Sequence, residues 1–205
     1  MGIDWNRIMK ALKTFIPCSL EESELIKEAY KSSKNIYDNT LTQNSFWAKI
    51  YIKLFWGGVD DVKIAEKLLA FIPDDFSGKL LDVPVGTAVF TYKKYKLMKN
   101  ANITCLDYSE DMLEQAKKKL PNLKMLQGDV GSLDFDDETF DIVLCMNGFH
   151  AFPDKEKAFF ETYRVLKKNG LFLSCFYIKG KSKITDMLVK CILSKKRLVY
   201  STIRE

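Results

Sequence analysis

Three carboxylates stand at or just beyond the ends of three short apolar runs, and a glycine follows the first of them. Leu80-Leu81-Asp82 opens into Val83-Pro84-Val85-Gly86-Thr87-Ala88, the run Ile103-Thr104-Cys105-Leu106 ends in Asp107, and Leu123 to Gln127 is followed by Gly128 and Asp129. An apolar run closed by an acid and a small-residue turn is the pattern of a strand whose carboxyl end cradles a ligand. At Gly86 the missing side chain lets backbone approach that ligand closely, while Asp82 is placed to hold the turn or an ammonium group.

These residues need a scaffold that presents successive strand ends together. After Pro73 the chain alternates short apolar runs with helical or turn segments, as expected of a parallel sheet with crossover helices. The pattern predicts strands near 79–84, 102–107, 123–127, 140–146 and 170–178, and helices near 88–99, 109–119 and 154–167. Ile142 to Met146 and Leu171 to Ile178 are apolar at consecutive positions, as strands covered on both faces require. Upstream, Ile3, Trp5, Ile8, Met9, Leu12 and Phe15 recur at steps that include the three and four residues of a helix, and further helices are expected near 20–34, 44–56 and 59–71. Pro17 and Ser19 mark a stop and restart between the first two. The division expected is a helical N-terminal lid over residues 1–75 and an α/β core over 76–205 with a basic C-terminal helix.

From about Gly78 to Tyr177 the ordered set resembles the class I S-adenosylmethionine-dependent methyltransferases. The first motif reads Leu80 to Ala88, with Gly86 kept and with Pro84 and Ala88 where the family usually has glycine. Further matches are Leu106-Asp107-Tyr108-Ser109 with Met112-Leu113, Gln127-Gly128-Asp129-Val130 with Leu133 and Phe135, Phe140-Asp141-Ile142-Val143, and Tyr163 to Gly170 before the fifth strand. The resemblance implies a Rossmann-like, mostly parallel sheet with helices on both faces, S-adenosyl-L-methionine as cofactor, and methyl transfer to a small-molecule acceptor of the kind used by quinone-biosynthesis methyltransferases. It implies that Gly86 and its neighbour Thr87 approach the methionine part, that Asp107 accepts from both ribose hydroxyls, and that Asp129 and Val130 face the adenine. Asp82 joins this set at the first strand end, Tyr108 and Met112 pack on the cofactor or in the core, and Asn147 contacts the cofactor through its backbone or amide. The family's closing antiparallel hairpin is expected to be absent, since the residues after Ile178 read as helix, with Ile184, Leu188, Ile192 and Leu193 among Lys183, Lys190 and Lys195. An exposed edge on strand five, or a homodimer through it, follows from that expectation.

His150, the single histidine, lies after strand four and is the candidate general base, because its free pKa is near neutrality. Tyr37, Trp47, Tyr51 and Trp56 are candidates for an aromatic lid, with Tyr37-Asp38 near the cofactor. The competing activities fit less well. From Gly86 the chain reads Gly-Thr-Ala-Val-Phe-Thr, without the second and third glycines of a dinucleotide fingerprint. Asn147-Gly148-Phe149 lacks the Pro-Pro-aromatic handle of DNA base-amine methylation. The alternative is a catalytically weakened or inactive scaffold of the same fold, motivated by Pro84 and Ala88. The basic tail from Lys179 to Arg197 raises peripheral membrane docking as a third reading.

Composition sets the remaining bounds. The chain has 205 residues, 47% of them hydrophobic, enough for one substantial core. No apolar run long enough to span a membrane and no signal-peptide pattern is present, so a cytoplasmic protein is expected. The five cysteines include no Cys-x-x-Cys pair, and with one histidine they predict buried thiols and no metal site. A net charge of +5 with dispersed lysines does not call for a nucleic-acid partner.

Overall fold

The computed structural model describes residues 60–149 and 152–176. The expected helices upstream of residue 60, the C-terminal helix, His150 and the aromatic lid candidates lie outside them. Within the described residues the element order is α1 (Asp61–Leu69), β1 (Lys79–Asp82), α2 (Tyr92–Leu97), β2 (Asn102–Asp107), α3 (Glu110–Lys119), β3 (Lys124–Gln127), β4 (Phe140–Met146), α4 (Lys155–Arg164) and β5 (Leu166–Cys175).

Local chemistry sets where the helices start. The Asp60, Ser109 and Asp154 side chains accept from the backbone N–H groups of Lys63, Met112 and Lys157 at 3.1, 3.4 and 2.9 Å, capping α1, α3 and α4. In α3 the acids Glu110 and Asp111 fill the first turn and Lys117 to Lys119 the last, in line with the helix dipole. None of the described helices is long and apolar enough to cross a membrane.

The five strands form one sheet in the order β3-β2-β1-β4-β5, with every pairing parallel. Successive residues of β1 point to opposite faces, so Leu80 enters one core and Leu81 the other. The first core packs Ala65 and Leu69 of α1, Tyr95 of α2, and Leu113 and Ala116 of α3 against Leu80, Cys105 and Leu144. The second packs Ala158 of α4 and the loop residues Val130, Leu133, Phe149 and Phe152 against Leu81, Leu106, Val143 and Cys145. Helices therefore cover both faces, which is why Ile142 to Met146 of β4 is apolar at consecutive positions. Burying a side chain such as Leu81 contributes about 2 kcal/mol, and truncating it to alanine would cost about 2–5 kcal/mol.

The expected strands at 102–107 and 140–146 are present with those limits, β1 ends at Asp82 rather than 84 and α4 at Arg164 rather than 167, and the starts of α2 and β5 differ most. α2 spans Tyr92–Leu97 rather than 88–99, because Val83 to Thr91 is a chain of turns in which Ala88 N–H donates to Val85 O and Thr91 N–H to Ala88 O. β5 starts at Leu166 rather than 170. Val165 closes α4 and Leu166 pairs at once with Phe140, whereas the next pair is Ile142 with Leu171. The excess residues of β5 form a bulge in which Asn169 takes φ 64° and the Lys167 ammonium donates to Asp141 Oδ1 at 2.8 Å. β5 is the outer strand of the described sheet, and Leu171 is exposed on it.

Candidate functional site

A parallel sheet delivers all its carboxyl ends to one edge, so Asp82, Asp107, Gln127 and Met146 end their strands on the same side of the molecule. The chain runs from β1 outward to β2 and β3 and then crosses back to β4 on the other side of β1. At such a reversal the connecting segments diverge and leave a crevice beyond the strand ends.

The turn after β1 is tied to β2 through both backbone and side chain, with Val85 N–H donating to Leu106 O at 3.0 Å. Gly86 N–H donates to Asp107 Oδ2 at 2.8 Å, and Ser109 N–H donates to Oδ1 of the same carboxylate at 2.9 Å. Burial pushes Asp107 up to about 6, against the lowering effect of those backbone donors. Each oxygen keeps acceptor capacity for a further donor such as a hydroxyl. Gly86 takes φ +56°, and a Cβ built on it would meet nothing within 4 Å, so the space over this turn is open. Thr87 is buried, and its carbonyl accepts from the Lys119 ammonium at 2.8 Å, a second anchor for the turn.

Asp82 is buried at 1% exposure. Its Oδ2 accepts from the Tyr95 hydroxyl at 2.9 Å, and Tyr95 is itself buried in α2. Burial pushes Asp82 up to about 7; the Tyr95 hydrogen bond opposes this, and the Asp107 charge adds to it. The Thr91 hydroxyl also lies near this carboxylate, but without a hydrogen bond of good geometry.

The other expected residues are distributed unevenly. Tyr108 is 47% exposed, whereas Met112 is buried in the first turn of α3. Asp129 is exposed and closes its own loop by accepting from Gly131 N–H at 2.8 Å, while Val130 is buried in the second core. Gly128 N–H donates to Asp107 O at 3.1 Å, which fastens the start of that loop to β2. Asn147 takes φ 52°, and its backbone N–H is committed to Cys175 O at 2.8 Å. Its side-chain oxygen accepts from the Cys175 thiol at 3.7 Å, so the amide N–H₂ and the backbone carbonyl remain for other partners. Beyond it the Phe149 ring is surrounded by Phe152, Phe159, Phe172 and Phe176 at centroid distances of 5.3 to 6.0 Å.

Cys105 and Cys145 are buried free thiols, pushed up by burial, and Cys175 is half-buried. Among the described residues no group of His, Cys, Asp and Glu could hold a metal ion. Sequence reasoning missed Tyr95 and Lys119. An interior tyrosine in the lysine-rich helix Tyr-Lys-Lys-Tyr-Lys-Leu was the available signal for the first, and nothing local marked the second.

The family pattern described as a methyltransferase domain matches residues 81–174, which takes in β1 to β5 and every strand end discussed above. That stretch has the pattern of a methyltransferase domain. The chain is 40% identical over 97 residues to a demethylmenaquinone methyltransferase of Staphylococcus epidermidis, covering 45% of this chain and 40% of that protein. It is 32% identical over 147 residues to the demethylmenaquinone methyltransferase of Chlorobaculum tepidum, covering 70% of this chain and 57% of that protein. The chain thus spans about half the length of these curated relatives. The fold is also that of a SAM-dependent methyltransferase from Thermotoga maritima, at 22% identity and a TM-score of 0.55, covering 82% of this chain and 72% of that one. S-adenosyl-L-methionine is the cofactor of this domain class. The methyltransferase domain fits it on its own geometry, since open space over Gly86 adjoins the Asp107 carboxylate, whose oxygens suit a hydroxyl-bearing ligand, with the buried Asp82 at the neighbouring strand end.

Proposed function

We propose that the protein transfers a methyl group from S-adenosyl-L-methionine to a small-molecule acceptor of the quinol type. The observation that carries this reading is the Gly86 turn, open to a ligand and clamped to Asp107. When bound, S-adenosyl-L-methionine supplies an electrophilic methyl group on a sulfonium. The chain contributes positioning, which is the main demand of such a transfer. In this reading Gly86 and Thr87 give backbone access to the amino-acid end and Asp82 supplies negative charge near it. Asp107 accepts from the ribose hydroxyls, Asp129 and Val130 face the base, and Tyr108 and Met112 flank it. Asn147 offers its amide at the end of β4. The phenylalanines around Phe149 belong largely to the second core, and the exposed Phe176 at their margin is proposed as an apolar contact for an aromatic acceptor.

His150, outside the described residues, is proposed as the base that takes the acceptor's proton. Residues 1–75 are proposed as a lid over a core of 76–205. Unpaired Cys105 and Cys145 suit a reducing compartment, so a cytoplasmic location is inferred, with no nucleic-acid partner. The outer strand β5 is proposed as the contact of a homodimer.

Calorimetric titration with S-adenosyl-L-methionine and S-adenosylhomocysteine, followed by transfer of labelled methyl to a demethylated naphthoquinol, tests the proposal. Micromolar binding with transfer is expected. Binding without transfer to that quinol or to a cell extract, or no binding of either ligand, removes the enzymatic reading and favours the scaffold reading motivated by Pro84 and Ala88.

A further inference from the structure

Asp82 and Asp107 form a pair of buried acids at adjacent strand ends, and the Tyr95 hydroxyl donates to Asp82 with good geometry. We propose that Tyr95 is a positioning residue of the cofactor site, whose hydroxyl holds Asp82 at the end of β1 as an anion ready to meet the cationic end of the ligand. The inference rests on the cofactor reading above and extends it to a residue that touches no ligand atom.

An ionised carboxylate buried without a cation is strongly disfavoured unless hydrogen bonds stabilise the charge. The groups facing Asp82 are Tyr95 and Thr91 around α2, Cys105 and Asp107 from β2, and Cys145 from β4. None is cationic. The Lys117 ammonium acts on Cys105, and Lys119 is bound to Thr87 O. Tyr95 therefore supplies a well-formed hydrogen bond that favours the anion before a ligand arrives. Because the two acids interact, their titration belongs to the pair.

A cationic ligand should bind more tightly as pH rises through the titration of this pair, which lies near 6 to 7. Removing the Tyr95 donor should move that midpoint up by roughly half to one pH unit and weaken binding at about pH 6.5 by about 3- to 10-fold. The experiment is calorimetric affinity against pH for wild type and Tyr95→Phe, with two probes. S-adenosylhomocysteine carries the ammonium, and 5′-methylthioadenosine lacks it.

The expected result is a raised midpoint for S-adenosylhomocysteine and an unchanged affinity for 5′-methylthioadenosine. An unmoved midpoint, or an equal loss for both probes, overturns the inference while leaving the cofactor reading intact. If wild type binds neither probe, the cofactor reading fails and the inference with it. Should Tyr95→Phe not fold, the same change is made in Asp82→Asn, where burial of a charge no longer arises. There it should alter S-adenosylhomocysteine affinity by less than about 2-fold, and a loss as large as about 10-fold overturns the inference.

Discussion

Gly148 lies so close to Pro84 that a Cβ built on it would stand 2.3 Å from Pro84 Cδ, and 2.8 Å from Cys145 Sγ. The proline that replaces a glycine in the first motif is thus matched by a glycine in the segment after β4. The two segments meet across the β1–β4 pairing, beside the point where the strand order reverses.

Gly148→Ala should therefore destabilise the domain by about 1–3 kcal/mol, the usual range for overpacking. Pro84→Gly in the same chain should recover part of the loss by removing the nearest atom. Urea denaturation of the two single variants and the double checks this, and strictly additive losses would show that the contact is not shared.

Gly86→Ala separates stability from binding. The positive φ makes alanine cost about 1 kcal/mol, but its methyl would meet no protein atom. Cofactor affinity should fall by about 10-fold or more, because the methyl occupies the space left for a ligand. Equal affinity in both proteins would show that the ligand sits elsewhere.

Asp107→Ala removes the acceptor of the Gly86 and Ser109 N–H groups together with the one proposed for the ribose. Binding of S-adenosylhomocysteine should weaken by about 10- to 100-fold. Calorimetry reads the loss, and unchanged affinity would remove Asp107 from the site.

Of these residues, the strand-end acids and Gly86 were legible from the sequence, because a period of apolar runs closed by acids is a local pattern. Strands 102–107 and 140–146 were legible for the same reason, being apolar on both faces. The partners that hold the site were not. Tyr95 meets Asp82 across 13 positions, Lys119 meets Thr87 across 32, and Gly148 faces Pro84 from another strand end. Such contacts depend on how helices and loops pack on the sheet, which no short window encodes. The early start of β5 was hidden too, since Leu166-Lys167-Lys168-Asn169 has the composition of a helix end and pairs with β4 only through a bulge.

Asp82 makes stability fall as pH rises. Its pKa goes from 3.8 to about 7 on folding, so the native state keeps a proton that the unfolded chain releases between those values. The stabilisation is complete below about pH 4 and is lost as pH rises through about 7, a change on the order of 4 kcal/mol. Asp107 acts in the same direction through about 6. Asp82→Asn should flatten this dependence, and denaturation at about pH 5 and about pH 7.5 compares the two proteins. A wild type that gained stability over that interval relative to the variant would contradict the buried, uncompensated acid.

Arg164 fastens the loop before β4: Nη2 donates to Leu133 O and Nη1 to Phe135 O, at 2.8 and 2.7 Å, while Nε donates to Glu161 Oε1 at 2.8 Å. A lysine cannot reproduce this planar fork, so Arg164→Lys should cost about 1–2 kcal/mol. The exposed partner Asp137 adds little, and Asp137→Ala should be near neutral in the same thermal melts.

The bulge at the start of β5 bears on how this sheet meets other chains. From Lys167 to Asn169 the outer backbone is irregular and carries two lysines, one of them tethered to Asp141. Any strand that comes to lie alongside finds regular spacing only from Leu171 onward, for about half the length of β5. That blunted margin limits uncontrolled stacking into fibrils while leaving one short stretch of backbone able to accept a neighbour.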